Sequence, residues 1–229
     1  MTLRGIVFDF DGVIANSEPL HFQGFREVLA GEGLTLTERE YYARYLGFDD
    51  AGAFAAIGAD HGRRWPEGHI DTLVGRKAVR LEALEREQSV LFPGAAAAIA
   101  RLAECGPLAI ASGALRNEIT RTLVRENLVR YFSVVVGAED TPASKPAPDP
   151  YQRAVKLLDA ATHSGTNPAE YVAIEDSQWG LESARAAGLR TVAVTHTYPA
   201  DQLRADLTVP GLDVITWDLL QSVICGAAD

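Results

Sequence analysis

The sequence predicts an α/β protein with a doubly wound parallel sheet. Three observations carry this. Short, almost wholly apolar runs recur along the chain, amphipathic helical patterns separate them, and polar residues follow several of the runs directly. A run apolar on both faces suits a strand covered on both sides. Alternation of strand and helix favours parallel pairing through crossovers.

The first strand is expected over Leu3 to Phe10, with Ile6, Val7 and Phe8 as its apolar body. A helix follows from Ser17 to Gly31, with Ser17 as N-cap and Pro19 in the first turn. Phe22, Phe25, Val28 and Leu29 form its apolar stripe. From about Thr35 to Gln88 the patterns are helical and rich in aromatics, with no strong strand. Phe92-Pro93-Gly94 then punctuates the chain.

Alternation resumes after that. Helices are expected over Ala95 to Glu104, Asn117 to Glu126, Asp149 to Ala160 (Asp149 as N-cap) and Ser177 to Ala187, the last stopped by Gly188. Strands are expected over Pro107 to Ala111, Ser133 to Val136, Tyr171 to Ile174 and Arg190 to Val194, with a short one at Asp213 to Ile215. The boundaries expected are 1–16 with 90–229 for the sheet-bearing domain and 17–89 for the helical insert.

Composition narrows the function. The 229 residues are 47% hydrophobic, so a packed core is expected. The net charge is -10 and no basic run offsets it, which argues against nucleic acid or an anionic membrane as partner. Cys105 and Cys225 lack zinc-ligand spacing and do not make a disulfide framework. No signal-peptide pattern or membrane-length apolar run is seen, so cytoplasm is expected.

In open α/β sheets, ligands bind beyond the carboxyl ends of the strands. Four stretches are expected there: Asp9-Phe10-Asp11-Gly12, Ser112-Gly113, Lys145-Pro146 and Glu175-Asp176-Ser177. Asp9, Asp11, Glu175 and Asp176 would crowd four carboxylates together, and like charges at close range resist joint ionisation. A hard divalent cation compensates, and Mg2+ suits an oxygen-only donor set. Ser112, the adjacent Gly113 backbone and Lys145 make an anion cradle beside it. A phosphoryl group fits, because its transfer depends on positioning and charge stabilisation. One aspartate attacks phosphorus while the other handles a proton.

In this order and spacing, the four stretches resemble the haloacid dehalogenase-like hydrolase superfamily. Asn16-Ser17-Glu18-Pro19-Leu20-His21 and the stretch from Ser177 to Gly188 are similar to its β-phosphoglucomutase and phosphoglycolate phosphatase branch. The resemblance implies a Rossmann-like core with a helical cap inserted after the first strand. It implies Asp9 as nucleophile, Asp11 as general acid/base, and Ser112 and Lys145 as phosphate holders. Asp9, the Asp11 carbonyl and Asp176 would bind Mg2+, with Glu175 ligating directly or through water. His21 falls where the mutase branch places a substrate residue near the cap.

Two departures separate this chain from the mutase. The mutase cap carries an arginine that grips a second phosphate, whereas Gly47-Phe48-Asp49-Asp50 here is acidic. Where the mutase has a lysine three residues after the serine, this chain has Leu115, with Arg116 next as a candidate substrate contact. The expectation is therefore a phosphatase acting on a small phosphorylated metabolite, as a monomer or weak homodimer. The rivals are a phosphosugar mutase and a non-enzymatic phospho-receiver module. Asp11 argues against dehalogenase chemistry, which lacks the second aspartate. His61 and His69 read as surface residues, Trp179 and the tyrosines of the insert as packing.

Overall fold

A computed structural model of the chain describes residues 1–46, 48, 50–162 and 167–226. Gly47 and Asp49 of the acidic stretch lie outside the described residues. In chain order, β1 (Gly5–Phe8) is followed by α1 (Glu18–Gly31), α2 (Glu38–Arg44), α3 (Asp50–Asp60) and α4 (His69–Glu87). Then come α5 (Ala95–Ala103), β2 (Leu108–Ala111), α6 (Arg116–Arg125), β3 (Phe132–Val136) and α7 (Asp149–Thr162). The remainder is β4 (Tyr171–Glu175), α8 (Gln178–Ala186), β5 (Arg190–Val194), β6 (Leu207–Val209) and α9 (Trp217–Cys225). The chain divides into two compact units: Met1–Asn16 with Leu91–Asp229, and Ser17–Val90.

The first unit holds a six-stranded parallel sheet of order β3-β2-β1-β4-β5-β6. The chain runs outward from β1 on one side, then returns to its other side. The order reverses at β1 and β4, which makes their carboxyl ends the switch point where such Rossmann-like sheets bind ligands. All residues of β1, β2 and β4 are buried, as strands covered on both faces must be. One core layer packs Val7, Ala109, Val136, Tyr151, Leu158 and Tyr171 together.

Several elements differ from expectation. β1 is confined to Gly5–Phe8, because Asp9 to Ala15 turn back on themselves: Ile14 N–H and Ala15 N–H both donate to the Phe10 carbonyl. The sixth strand is Leu207–Val209, and the stretch expected as a strand near Asp213 is a 3₁₀ turn, Leu212–Val214. Asp149 is the first helical residue of α7, not its cap. Trp179, expected to pack, is 59% exposed, because α8 buries its Gly180, Leu181, Ser183 and Ala184 face.

The second unit is helical. Ser17 occupies the N-cap position of α1 but has helical backbone and makes no side-chain capping bond. α2 has the stronger start: Thr37 Oγ1 accepts from the Glu40 N–H, and Glu40 accepts from the Thr37 N–H. The core of this unit is Phe25, Leu29, Leu36, Tyr41, Phe54, Ile57 and Leu73, with Phe22 packed against it. Tyr41 and Tyr45 are buried, whereas Tyr42 is partly exposed. His61 is exposed; His69 is half-buried, stacked on Trp65 and 3.2 Å from Glu32. Among the described residues, no helix is long and apolar enough to cross a membrane.

Phe54 has no exposed surface and lies 4.8 Å from Phe25, ring centre to ring centre. Phe54→Ala is expected to cost about 3–5 kcal/mol. Chemical denaturation followed by circular dichroism measures this; a loss under about 1 kcal/mol would mean the unit does not depend on this core.

Candidate active site

Sheet register decides which side chains meet. Phe8 pairs with Ile110 on one side and Ile174 on the other. Asp9, Ser112 and Glu175 therefore sit one or two residues beyond that row, on one edge of the sheet. Lys145 comes to that edge from the loop between β3 and α7, and the peptide that follows it, to Pro146, is cis.

Carboxylate oxygens of Asp9, Glu175 and Asp176 lie within 4.8 Å of one another, and all three residues are buried. One ammonium joins them. Lys145 Nζ is 2.8 Å from Asp9 Oδ1 and 2.6 Å from Glu175 Oε1. The Phe10 N–H also donates to Asp9 Oδ1, at 2.7 Å.

Glu175 is held on both oxygens. Oε1 accepts from Lys145 and from the Tyr151 hydroxyl at 2.7 Å. Oε2 accepts from the N–H groups of Asp176 and Ser177 and from the Ser177 hydroxyl at 3.2 Å. The first turn of α8 closes over it: a Cβ on Gly180 would fall 1.9 Å from the Glu175 carboxylate. Gly12 is similarly constrained, with φ +77° and a hypothetical Cβ 1.9 Å from Asp176 Oδ2. Only glycine lets the turn after Asp11 come this close to Asp176.

The electrostatics follow from burial. Loss of water raises the Asp9 carboxyl well above the ordinary range; the Glu175 and Asp176 charges add to this, and Lys145 opposes it. Asp176 is pushed up to about 6 by burial, against a hydrogen bond from the Thr197 side chain. Burial works against the Lys145 ammonium, but Asp9 and Glu175 outweigh it and hold the lysine above its usual range. Burial, then Glu175 and Asp9, raise the Tyr151 phenol, which stays a donor.

The other expected residues are placed as follows. Asp11 is exposed in the turn after Asp9, which is closed by a bridge between Asp11 and Ala15. Ser112 is buried, and its hydroxyl accepts from the Ala114 N–H at 3.1 Å. It does not cap α6, which begins four residues later at Arg116. Gly113 is exposed, with open space where a Cβ would be. Arg116 is committed elsewhere: its guanidinium is 2.5 Å from Asp140, and its N–H meets the Glu139 carboxylate.

His21 belongs to the helical unit and makes its contacts there. Its Nδ1 lies 3.0 Å from Lys77 Nζ, so it accepts from the ammonium. Lys77 has no exposed surface, pairs with Asp50 and lies 4.3 Å from the centre of the Phe25 ring. Tyr151, Thr197 and the Lys77–Asp50 pair are not in the expected set. Thr197 was within reach of the strand-end rule, since it follows the apolar strand β5 closely; Tyr151, in the first turn of α7, and Lys77, in the middle of α4, carry no such mark.

A family model described as haloacid dehalogenase-like hydrolase matches residues 6–194. Protein CbbY of Rhodobacter capsulatus is 32% identical over 222 residues, covering 93% of this chain and 95% of that protein. Hexitol phosphatase B of Escherichia coli (strain K12) is 30% identical over 202 residues, covering 87% and 85%. The crystal structure of CbbY from Rhodobacter sphaeroides in complex with phosphate superposes with a TM-score of 0.71 at 26% identity, covering 93% of this chain and 96% of that one.

Gly180→Ala forces a methyl group onto the Glu175 carboxylate and is expected to destabilise the protein by about 1–3 kcal/mol, read by urea denaturation; an unchanged midpoint would contradict the close approach. Burial, then Lys77, lowers His21 to about 4 from 6.5. The unfolded histidine takes up its proton first as pH falls, so stability declines from about pH 6.5 towards 4. An NMR titration should show His21 neutral at pH 5.5, and a midpoint near 6.5 would overturn this.

Proposed function

Because the chain belongs to the haloacid dehalogenase-like hydrolase family, we propose that it is a magnesium-dependent phosphatase of small phosphorylated metabolites. The observation that carries this is the buried triad of carboxylates with one lysine bridging two of them. Such a cluster holds more negative charge than one ammonium balances. It suits a site completed by a dication and a phosphoryl group.

The donor set fits Mg2+, since it consists of carboxylate oxygens that lie within 4.8 Å of one another. Asp9, Asp176 and the Asp11 carbonyl would hold the ion; Glu175, whose oxygens are taken by Lys145, Tyr151 and Ser177, acts by holding Lys145 in place. When bound, the metal neutralises charge on the phosphoryl oxygens and orients the group. Asp9 attacks phosphorus and forms an aspartyl-phosphate as the substrate alkoxide leaves. Asp11 gives the alkoxide its proton, then takes one from the water that hydrolyses the intermediate. Lys145, Ser112 and the Gly113 N–H bind the phosphoryl oxygens throughout.

We assign the helical unit the role of a cap that selects substrate, with hinges near 15–17 and 89–92. A sugar phosphate or short organic phosphate is the class we favour, in keeping with the hexitol phosphatase relative. Asp50 belongs to the stretch where a mutase carries its arginine, and it is bonded to Lys77. An acidic residue there offers no grip on a second phosphate, which favours hydrolysis over transfer within a bisphosphate. Cys105 and Cys225 are free and exposed, which suits the reducing cytoplasm.

The test is phosphate release from p-nitrophenyl phosphate with Mg2+. Wild type should turn over, and Asp9→Asn should lose at least about 10³-fold. Wild type without turnover, or Asp9→Asn with full activity, contradicts the proposal. With a hexose phosphate that is turned over, phosphorus NMR should show free phosphate, not an isomeric ester.

A further inference from the structure

The loop after β5 makes two contacts that the scheme above does not use. His196 Nδ1 lies 2.9 Å from the Gly12 carbonyl oxygen. A carbonyl only accepts, so Nδ1 carries the hydrogen. The ring stacks on Phe92, with centroids 3.8 Å apart and planes 18° from parallel. Phe92 is itself tied to the same turn, because its N–H donates to the Ile14 carbonyl at 3.0 Å. The next residue, Thr197, bonds the Asp176 carboxylate through its side chain.

The turn at Gly12 needs an outside hold. Glycine allows the left-handed conformation and the close approach to Asp176, but glycine is also the residue least confined to one conformation. The turn's internal bonds run from Gly12 N–H to the Ala15 carbonyl and from Ile14 and Ala15 N–H to the Phe10 carbonyl. They fix its ends. The Gly12 carbonyl, in the residue beside Asp11, is fixed by His196.

We propose that His196 is a positioning residue for the Asp11 acid/base: its Nδ1–H bond to Gly12, braced by the stack on Phe92, sets the direction of the Asp11 backbone. The bond needs a donor at Nδ1 in either charge state of the ring, so the device is geometric. This role rests on the reading of the chain as a phosphatase. It deepens that reading by adding a residue from a fifth strand end, outside the four stretches that define the site.

The ring and the donor can be separated. His196→Phe keeps a ring to stack on Phe92 but removes the donor. His196→Asn keeps a side-chain N–H near the Nδ1 position but removes the ring. With p-nitrophenyl phosphate and Mg2+, His196→Phe should lower kcat about tenfold at unchanged KM, while its melting temperature stays close to wild type. His196→Asn should recover most of kcat. Nitrogen NMR of the wild-type protein should show His196 protonated on Nδ1. Full kcat in His196→Phe, equal impairment in His196→Asn, or a neutral ring protonated on Nε2 would each overturn the proposal. If a variant fails to fold, the wild-type tautomer decides. A wild type without any turnover would remove the phosphatase reading and the Asp11 role with it, whereas the tautomer separately tests the His196–Gly12 bond.

Discussion

The ammonium of Lys145, held between Asp9 and Glu175, is the interaction on which the candidate site depends. An isolated buried charge is costly, and three buried carboxylates side by side are costlier still. Lys145 relieves part of that repulsion and leaves the rest. Glu175 is the member whose charge the protein satisfies itself, with Tyr151, Ser177 and two backbone N–H groups. Asp9 and Asp176 are left with the unbalanced share, and burial raises both. Positive charge placed beside this cluster would be favoured.

The fold makes this arrangement affordable in sequence terms. Parallel strands end together, so a short polar stretch after each apolar run delivers its side chains to one edge without a long designed loop. Two glycines then permit distances that side chains would forbid: Gly12 against Asp176, and Gly180 against Glu175. The helical unit has its own core around Phe25, Phe54 and Leu73.

Much of this was readable from the residues. The strands from β1 to β5 announced themselves as apolar runs of helix-separated spacing, and Asp9, Lys145 and the Glu175-Asp176 pair marked where three of the stretches come together. β6 did not, because Leu207-Thr208-Val209 is three residues long and mixed in polarity, and periodicity has no purchase on so short an edge strand. Trp179 misled because size suggests burial, yet the helix face it occupies is set by Leu181 and Ala184, not by its own hydrophobicity. Arg116 looked available from its place after Ser112, but ion pairing to Asp140 depends on the β3 loop, which is distant in sequence. Tyr151 and Lys77 were silent for a related reason: a polar residue inside a helix carries no sequence sign of what it will meet.

If Asp9 and Asp176 share a place for a dication, the intact protein should bind one. Calorimetric titration of the intact protein with MgCl2 tests it without reference to any substrate. Saturable binding of one Mg2+ per chain is expected in wild type and its loss in Asp176→Asn, with the fold retained. Equal binding by both proteins, or none by wild type, would contradict it.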